Sequence, residues 1–118
     1  MIKILIADDD AVMLNLLQTL MDLEGNEVVT VRRPEDIIPA AQCEDPGFIL
    51  MDYHLAGGDA MTPLLDLKSN ENLKEIPVLV TSGMDRESAC LGAGADGFIL
   101  KPFRPSQLLE KIQKMVGT

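Results

Sequence analysis

The sequence predicts an α/β fold, a doubly wound parallel sheet with helices on both faces. Two observations predict it. Short apolar runs rich in Ile, Leu and Val alternate with longer stretches whose apolar residues recur at helical spacing. Four of the five short runs are apolar on both faces, the pattern of strands in a covered parallel sheet. Right-handed crossovers then leave few topologies. A chain of 118 residues is long enough for one core, so residues 1–118 are read as one domain.

Each element follows from its residues. KILIA (3–7) is the first strand, and Asp10 opens a helix over 10–24 whose buried face carries Met13, Leu16, Leu17, Leu20 and Met21. Gly25-Asn26 stops that helix. EVVTV (27–31) is the second strand. Pro-Glu-Asp starts a helix over 34–43, although Pro39 weakens its later turn. GFILM (47–51) is the third strand, followed by a helix over 59–69. PVLVTS (77–82) is the fourth, followed by a short helix near 85–92. GFIL (97–100) is the fifth, and a helix over 105–116 buries Leu108, Leu109, Ile112, Met115 and Val116.

Composition narrows the function. A formal charge of -9 argues against nucleic acid as a direct ligand and favours a small cation or a basic partner surface. No apolar run approaches the ~20 residues of a membrane helix, and the amino terminus lacks the features of a signal peptide, so the expected location is cytoplasmic. Cys43 and Cys90 stand far apart without metal-ligand spacing and are read as reduced and structural. The seven Met residues are read mostly as core.

In doubly wound sheets, ligands bind at the carboxyl ends of the strands. Those ends carry Asp8 and Asp9, Asp52, Ser82 and Lys101. Two carboxylates about 4 Å apart repel by roughly 4 kcal/mol at an effective dielectric of about 20, so the cluster needs solvent or a cation. Convergent carboxylates without His or Cys suit Mg2+. With the metal present, Asp52 can attack an incoming phosphoryl group and become an acyl phosphate. Ser82 can hydrogen-bond one phosphoryl oxygen and Lys101 can hold another. Thr81 competes with Ser82 for the hydroxyl role, and counting from Pro77 favours Ser82. Pro102 can adopt a cis bond that aims the Lys101 side chain.

Five motifs in order, "ADD", "LMDYHL", "SG" after Pro77, "GADGFILKPF" and the terminal amphipathic helix, span the whole chain. Together they resemble the receiver domain of two-component response regulators. The resemblance implies a flavodoxin-like strand order 2-1-3-4-5, with Asp52 as phosphoacceptor and Asp8 and Asp9 as acids binding Mg2+ beside the main-chain carbonyl of His54. It also implies Ser82 as switch hydroxyl, Lys101 as phosphate-binding lysine and Phe98 as switch aromatic. The implied donor is a sensor histidine kinase or phosphotransfer protein. The implied readout is a downstream protein or an output domain absent from this chain, with the receiver a monomer or a phosphorylation-dependent dimer. Such a domain phosphorylates and dephosphorylates itself without turning over a free substrate, and so is not an enzyme in the ordinary sense.

Some features depart from the family pattern. Ser82 and Lys101 are only 19 positions apart, so the fourth helix is expected to be abbreviated, with Gly92 and Gly94 weakening it further. Ala56 and Ala60 replace the family's frequent Pro and Gly, and Gly57-Gly58 predicts a mobile loop. His54 and Met84, two beyond Asp52 and Ser82, are candidates for tuning phosphoryl lifetime. Two other functions compete. One is a receiver-like interaction module that is never phosphorylated. The other is a haloacid-dehalogenase-like phosphatase, because "DDDAV" fits D-x-D-x-[TV] with Asp8 as nucleophile and Asp10 as acid/base, a reading that leaves Asp52 unexplained.

Overall fold

A computed structural model describes residues 2–116. Strands β1 (Lys3–Ala7), β2 (Glu27–Val31), β3 (Phe48–Asp52), β6 (Val78–Ser82) and β7 (Gly97–Leu100) form one parallel sheet in the order β2-β1-β3-β6-β7. Counted as the five principal strands, that is the expected order 2-1-3-4-5. Between β3 and the next helix, β4 (His54–Leu55) and β5 (Gly58–Asp59) pair as a small antiparallel hairpin. The helices are α1 (Ala11–Leu23), α2 (Ile37–Glu44), α3 (Met61–Ser69), α4 (Glu87–Gly92) and α5 (Pro105–Met115), with a 3-10 turn at Pro34–Asp36 before α2.

Successive side chains on a strand point to opposite faces, which divides the core in two. Leu5, Ala7, Ile49, Met51, Val78 and Val80 pack with Ile37 and Ala41 of α2, Leu64 and Leu67 of α3 and Cys90 of α4. Ile4, Ile6, Phe48, Leu50 and Leu79 pack with α1 and α5 through Leu14, Leu17, Met21, Leu108 and Ile112. Each fully buried Leu or Ile contributes about 1.5–3 kcal/mol, so the two layers hold the strand ends in fixed register.

The far edge of the sheet is tied by one lysine. Lys68 Nζ donates to the carbonyls of Ile76 (2.9 Å) and Lys74 (3.2 Å) and pairs with Asp96 Oδ2 at 2.6 Å. The same carboxylate oxygen accepts the Val78 N–H at 2.9 Å. Gly94 lets the chain pass this knot: its φ is +106°, and a Cβ there would sit 2.8 Å from Lys68 Cγ.

Several details differ from the sequence reading. On α1 the buried stripe is Leu14, Leu17 and Met21, whereas Leu16 is 48% exposed. Leu16 instead lines a shallow apolar groove with Met13, Leu20, Phe103 and Pro105. Pro39 does not interrupt α2, because it is the third residue of that helix, where its missing N–H has no helical acceptor to lose. The expected loose loop after β3 is the β4–β5 hairpin, turned at Gly57 with φ +88°. Both outer strands are less covered than the inner three: β2 is half-exposed, and β7 ends in exposed Leu100. The fourth helix is short as expected, at six residues. Among the described residues, no helix is long and apolar enough to cross a membrane.

Candidate functional site

The carboxyl ends of β1, β3, β6 and β7 converge. The Asp8 N–H donates to the Val31 carbonyl (3.1 Å), continuing the β1–β2 ladder one step past the strand and drawing the Asp8 side chain inside. Asp8 Oδ1 accepts the N–H of Asp10 at 3.0 Å. Asp10 in turn caps α1, its side chain accepting the N–H groups of Val12 (3.0 Å) and Met13 (3.3 Å). The three successive acids thus divide: Asp10 faces the helix, while Asp8 and Asp9 face the sheet edge. Asp52 closes β3, in register with Thr81 on β6.

One carboxylate oxygen each from Asp8, Asp9 and Asp52 lies within 4.8 Å of the others. Lys101 Nζ approaches from the end of β7, 3.1 Å from Asp52 Oδ2 and 3.8 Å from Asp8 Oδ2. Burial pushes the Asp8 carboxyl above its ordinary range, opposed by the Asp10 N–H and reinforced by the Asp52 charge. Three carboxylates against one ammonium leave negative charge in a poorly solvated pocket. The donors are all hard oxygens, so the set fits a divalent cation of the Mg2+ type.

Ser82 is fully buried, and its Oγ accepts the Met84 N–H at 3.1 Å. The Lys101 N–H donates to the Ser82 carbonyl at 2.8 Å, so the backbone of the candidate lysine, one residue past β7, is tied to that of the candidate hydroxyl. Thr81 is also buried, and its carbonyl accepts the Tyr53 N–H at 2.8 Å. The Lys101–Pro102 bond is cis. Phe98 lies in the core layer with Val80 and Cys90. His54 is exposed at the start of β4, its ring meeting that of Tyr53 edge-on at 5.1 Å. Cys43 is exposed on α2 and Cys90 is buried, both as free thiols, so the structural reading is corrected for Cys43.

Residues 4–113 match the response regulator receiver domain family. The chain belongs to that family. This receiver is 32% identical over 117 residues to the chemotaxis protein CheY-3 of Vibrio cholerae, covering 96% of this chain and 90% of that protein. Among solved structures, it resembles the BeF3-activated N-terminal receiver domain of Klebsiella pneumoniae RstA, with TM-score 0.90 and 25% identity over 98% of this chain and 99% of that one. It also shares its fold with the receiver domain of the sensor histidine kinase PA1611 from Pseudomonas aeruginosa, which holds a magnesium ion in its active-site cleft (TM-score 0.89, 22% identity, 99% and 98% coverage). Several other curated relatives are longer, and the receiver spans about half of their length, 48%.

Two arginines near the site had no place in the sequence reading. Arg32, just past β2, donates from Nη2 to the Asp9 carbonyl at 2.8 Å. The strand-end rule that singled out Asp8 and Asp52 applies equally to Arg32, so that signal was present. Arg86 lies between Ser82 and α4, with its guanidinium 4.4 Å above the Tyr53 ring. Nothing local in the sequence pairs those two residues.

Proposed function

We propose that this receiver takes a phosphoryl group onto Asp52 from the phosphohistidine of a sensor histidine kinase or phosphotransfer protein. The observation that supports it is the Asp52 carboxylate held beside the Lys101 ammonium within the three-acid cluster. An Asp52 oxygen attacks phosphorus, the P–N bond breaks and the imidazole leaves, giving an acyl phosphate. Asp8, Asp9 and Asp52, with the His54 carbonyl, would hold Mg2+. That ion, when bound, supplies positive charge opposite the phosphoryl oxygens. Lys101 shifts from Asp52 to a phosphoryl oxygen, and Ser82 exchanges its contact with Met84 for another. With Phe98 in the layer behind them, the movement alters the β6–α4 and β7 surface that a partner or output domain reads.

Water later hydrolyses the acyl phosphate at the same site, so the cycle is self-catalysed and consumes no free substrate in steady turnover. The reading places the receiver in the cytoplasm, as a monomer or a dimer formed on phosphorylation. Incubation with Mg2+ and a small acyl phosphate donor, followed by intact mass, tests it. One phosphate mass is expected in the wild-type chain and none in Asp52→Asn. Absence of the added mass from the wild type, or its retention in the variant, refutes the assignment.

A further inference from the structure

Four side chains form a continuous bridge between the segment after β3 and the segment after β6. The His54 ring meets Tyr53 edge-on at 5.1 Å and 80°. The Arg86 guanidinium covers the Tyr53 ring at 4.4 Å, and Arg86 Nη2 donates to the Met84 sulfur at 3.7 Å. Tyr53 directly follows Asp52, and Met84 and Arg86 lie just past Ser82. The bridge therefore joins the backbone that carries the phosphoacceptor to the backbone that carries the switch hydroxyl.

Its two halves are held unequally. Tyr53 is fixed through its main chain, donating to the Thr81 carbonyl (2.8 Å) and accepting from the Ala60 N–H (2.8 Å). Arg86 is attracted to the ring face, but its Nε is shut off from solvent with no acceptor among the described residues. A partly desolvated cation over an aromatic ring is stabilising, and the buried N–H without a partner offsets part of that gain. The contact is thus favourable but weak enough to open. Arg86 is the N-cap residue of α4, its carbonyl accepting the Cys90 N–H at 2.9 Å, but its side chain makes no cap hydrogen bond that would hold it to the helix. Meanwhile Met84, which Arg86 touches, donates its N–H to Ser82 Oγ. Arg86 therefore touches the side chain of the residue whose main-chain N–H engages Ser82 Oγ.

We infer that Arg86 is a positioning residue whose contact with Tyr53 latches the β6–α4 segment at rest, and that the latch opens when Ser82 is drawn to an anion on Asp52. The inference rests on Asp52 being the phosphoacceptor. Part of the anion's binding free energy is then spent on opening, so a receiver without the latch binds the anion more tightly.

The chain has one tyrosine and no tryptophan, so its intrinsic fluorescence reports Tyr53 alone. Titration of the full chain with beryllofluoride and Mg2+ is expected to change that emission in the wild type. Arg86→Gln is expected to start near the final emission and to bind beryllofluoride about threefold to tenfold more tightly, the range a partly desolvated cation–π contact supplies. Arg86→Lys, which keeps the charge, is expected to fall between. Tyr53→Leu, followed by calorimetry, is expected to match the tighter binding of Arg86→Gln. Wild-type binding with unchanged emission overturns the latch and leaves the Asp52 reading intact. So does unchanged affinity in a folded Arg86→Gln. If Arg86→Gln does not fold, unchanged affinity in Arg86→Lys has the same force. No beryllofluoride binding to the wild type overturns both readings.

Discussion

Lys101 Nζ stands 3.1 Å from Asp52 Oδ2 and 3.8 Å from Asp8 Oδ2, one ammonium divided between two acids. Removing it leaves the acids unopposed in a largely buried pocket. Lys101→Ala is expected to lower stability in EDTA by about 1–3 kcal/mol. Saturating Mg2+ is expected to recover more stability in this variant than in the wild type. Urea unfolding in the two buffers measures both effects.

Asp8 is the most buried of the three acids, and burial favours its neutral form. An Asn side chain at this position keeps an acceptor for the Asp10 N–H while removing the charge. Asp8→Asn is therefore expected to be more stable than the wild type in EDTA, by about 1–2 kcal/mol. Its Mg2+-dependent gain should largely vanish, against about 2.7 kcal/mol expected for a competent site at a hundredfold excess over Kd. Thermal unfolding with and without Mg2+ separates the two changes.

At the opposite edge, Lys68 is the joint between α3, β6 and the turn before β7. Lys68→Met keeps the aliphatic stem but leaves the Ile76 carbonyl and the Asp96 carboxylate without their shared donor. A loss of about 2–3 kcal/mol in urea unfolding is expected. Asp96→Asn, which retains an acceptor for the Val78 N–H, is expected to lose less. Gly94→Ala should also destabilise, from its left-handed φ and the close approach of Lys68.

The thiols should react in two classes. Burial pushes the Cys90 thiol up, against a smaller downward pull from Arg86, whereas Cys43 is exposed. A maleimide at neutral pH is expected to add one label to the native chain, at Cys43, and a second only in denaturant. Intact mass and peptide mapping check this, and rapid native labelling of Cys90 would contradict the packing of α4.

The principal strands were legible because runs such as FILM and VLV must be buried on both faces, and only a covered sheet does that cheaply. Once those strands are placed, their ends locate Asp8, Asp9, Asp52, Ser82 and Lys101 without further information. What the sequence hid depends on partners distant along the chain. Leu16 satisfies the helical periodicity of α1 as well as Leu14 does, and only the angle at which α1 meets the sheet decides which one is covered. Pro39 looks disruptive until the preceding 3-10 turn sets where α2 starts. Arg86 and Tyr53 lie 33 positions apart in segments with no shared periodicity, so their contact follows from the fold.

Ser82 and Leu100 are opposite each other across β6 and β7, one wholly buried and the other 49% exposed. A single rung of the ladder separates the interior of the protein from its surface. Among the described residues no strand lies beyond β7, so under the proposed switch a displacement at the Ser82 hydroxyl need not travel through a packed layer to be noticed. It emerges at the sheet's own border, where a neighbour can feel the position of a leucine.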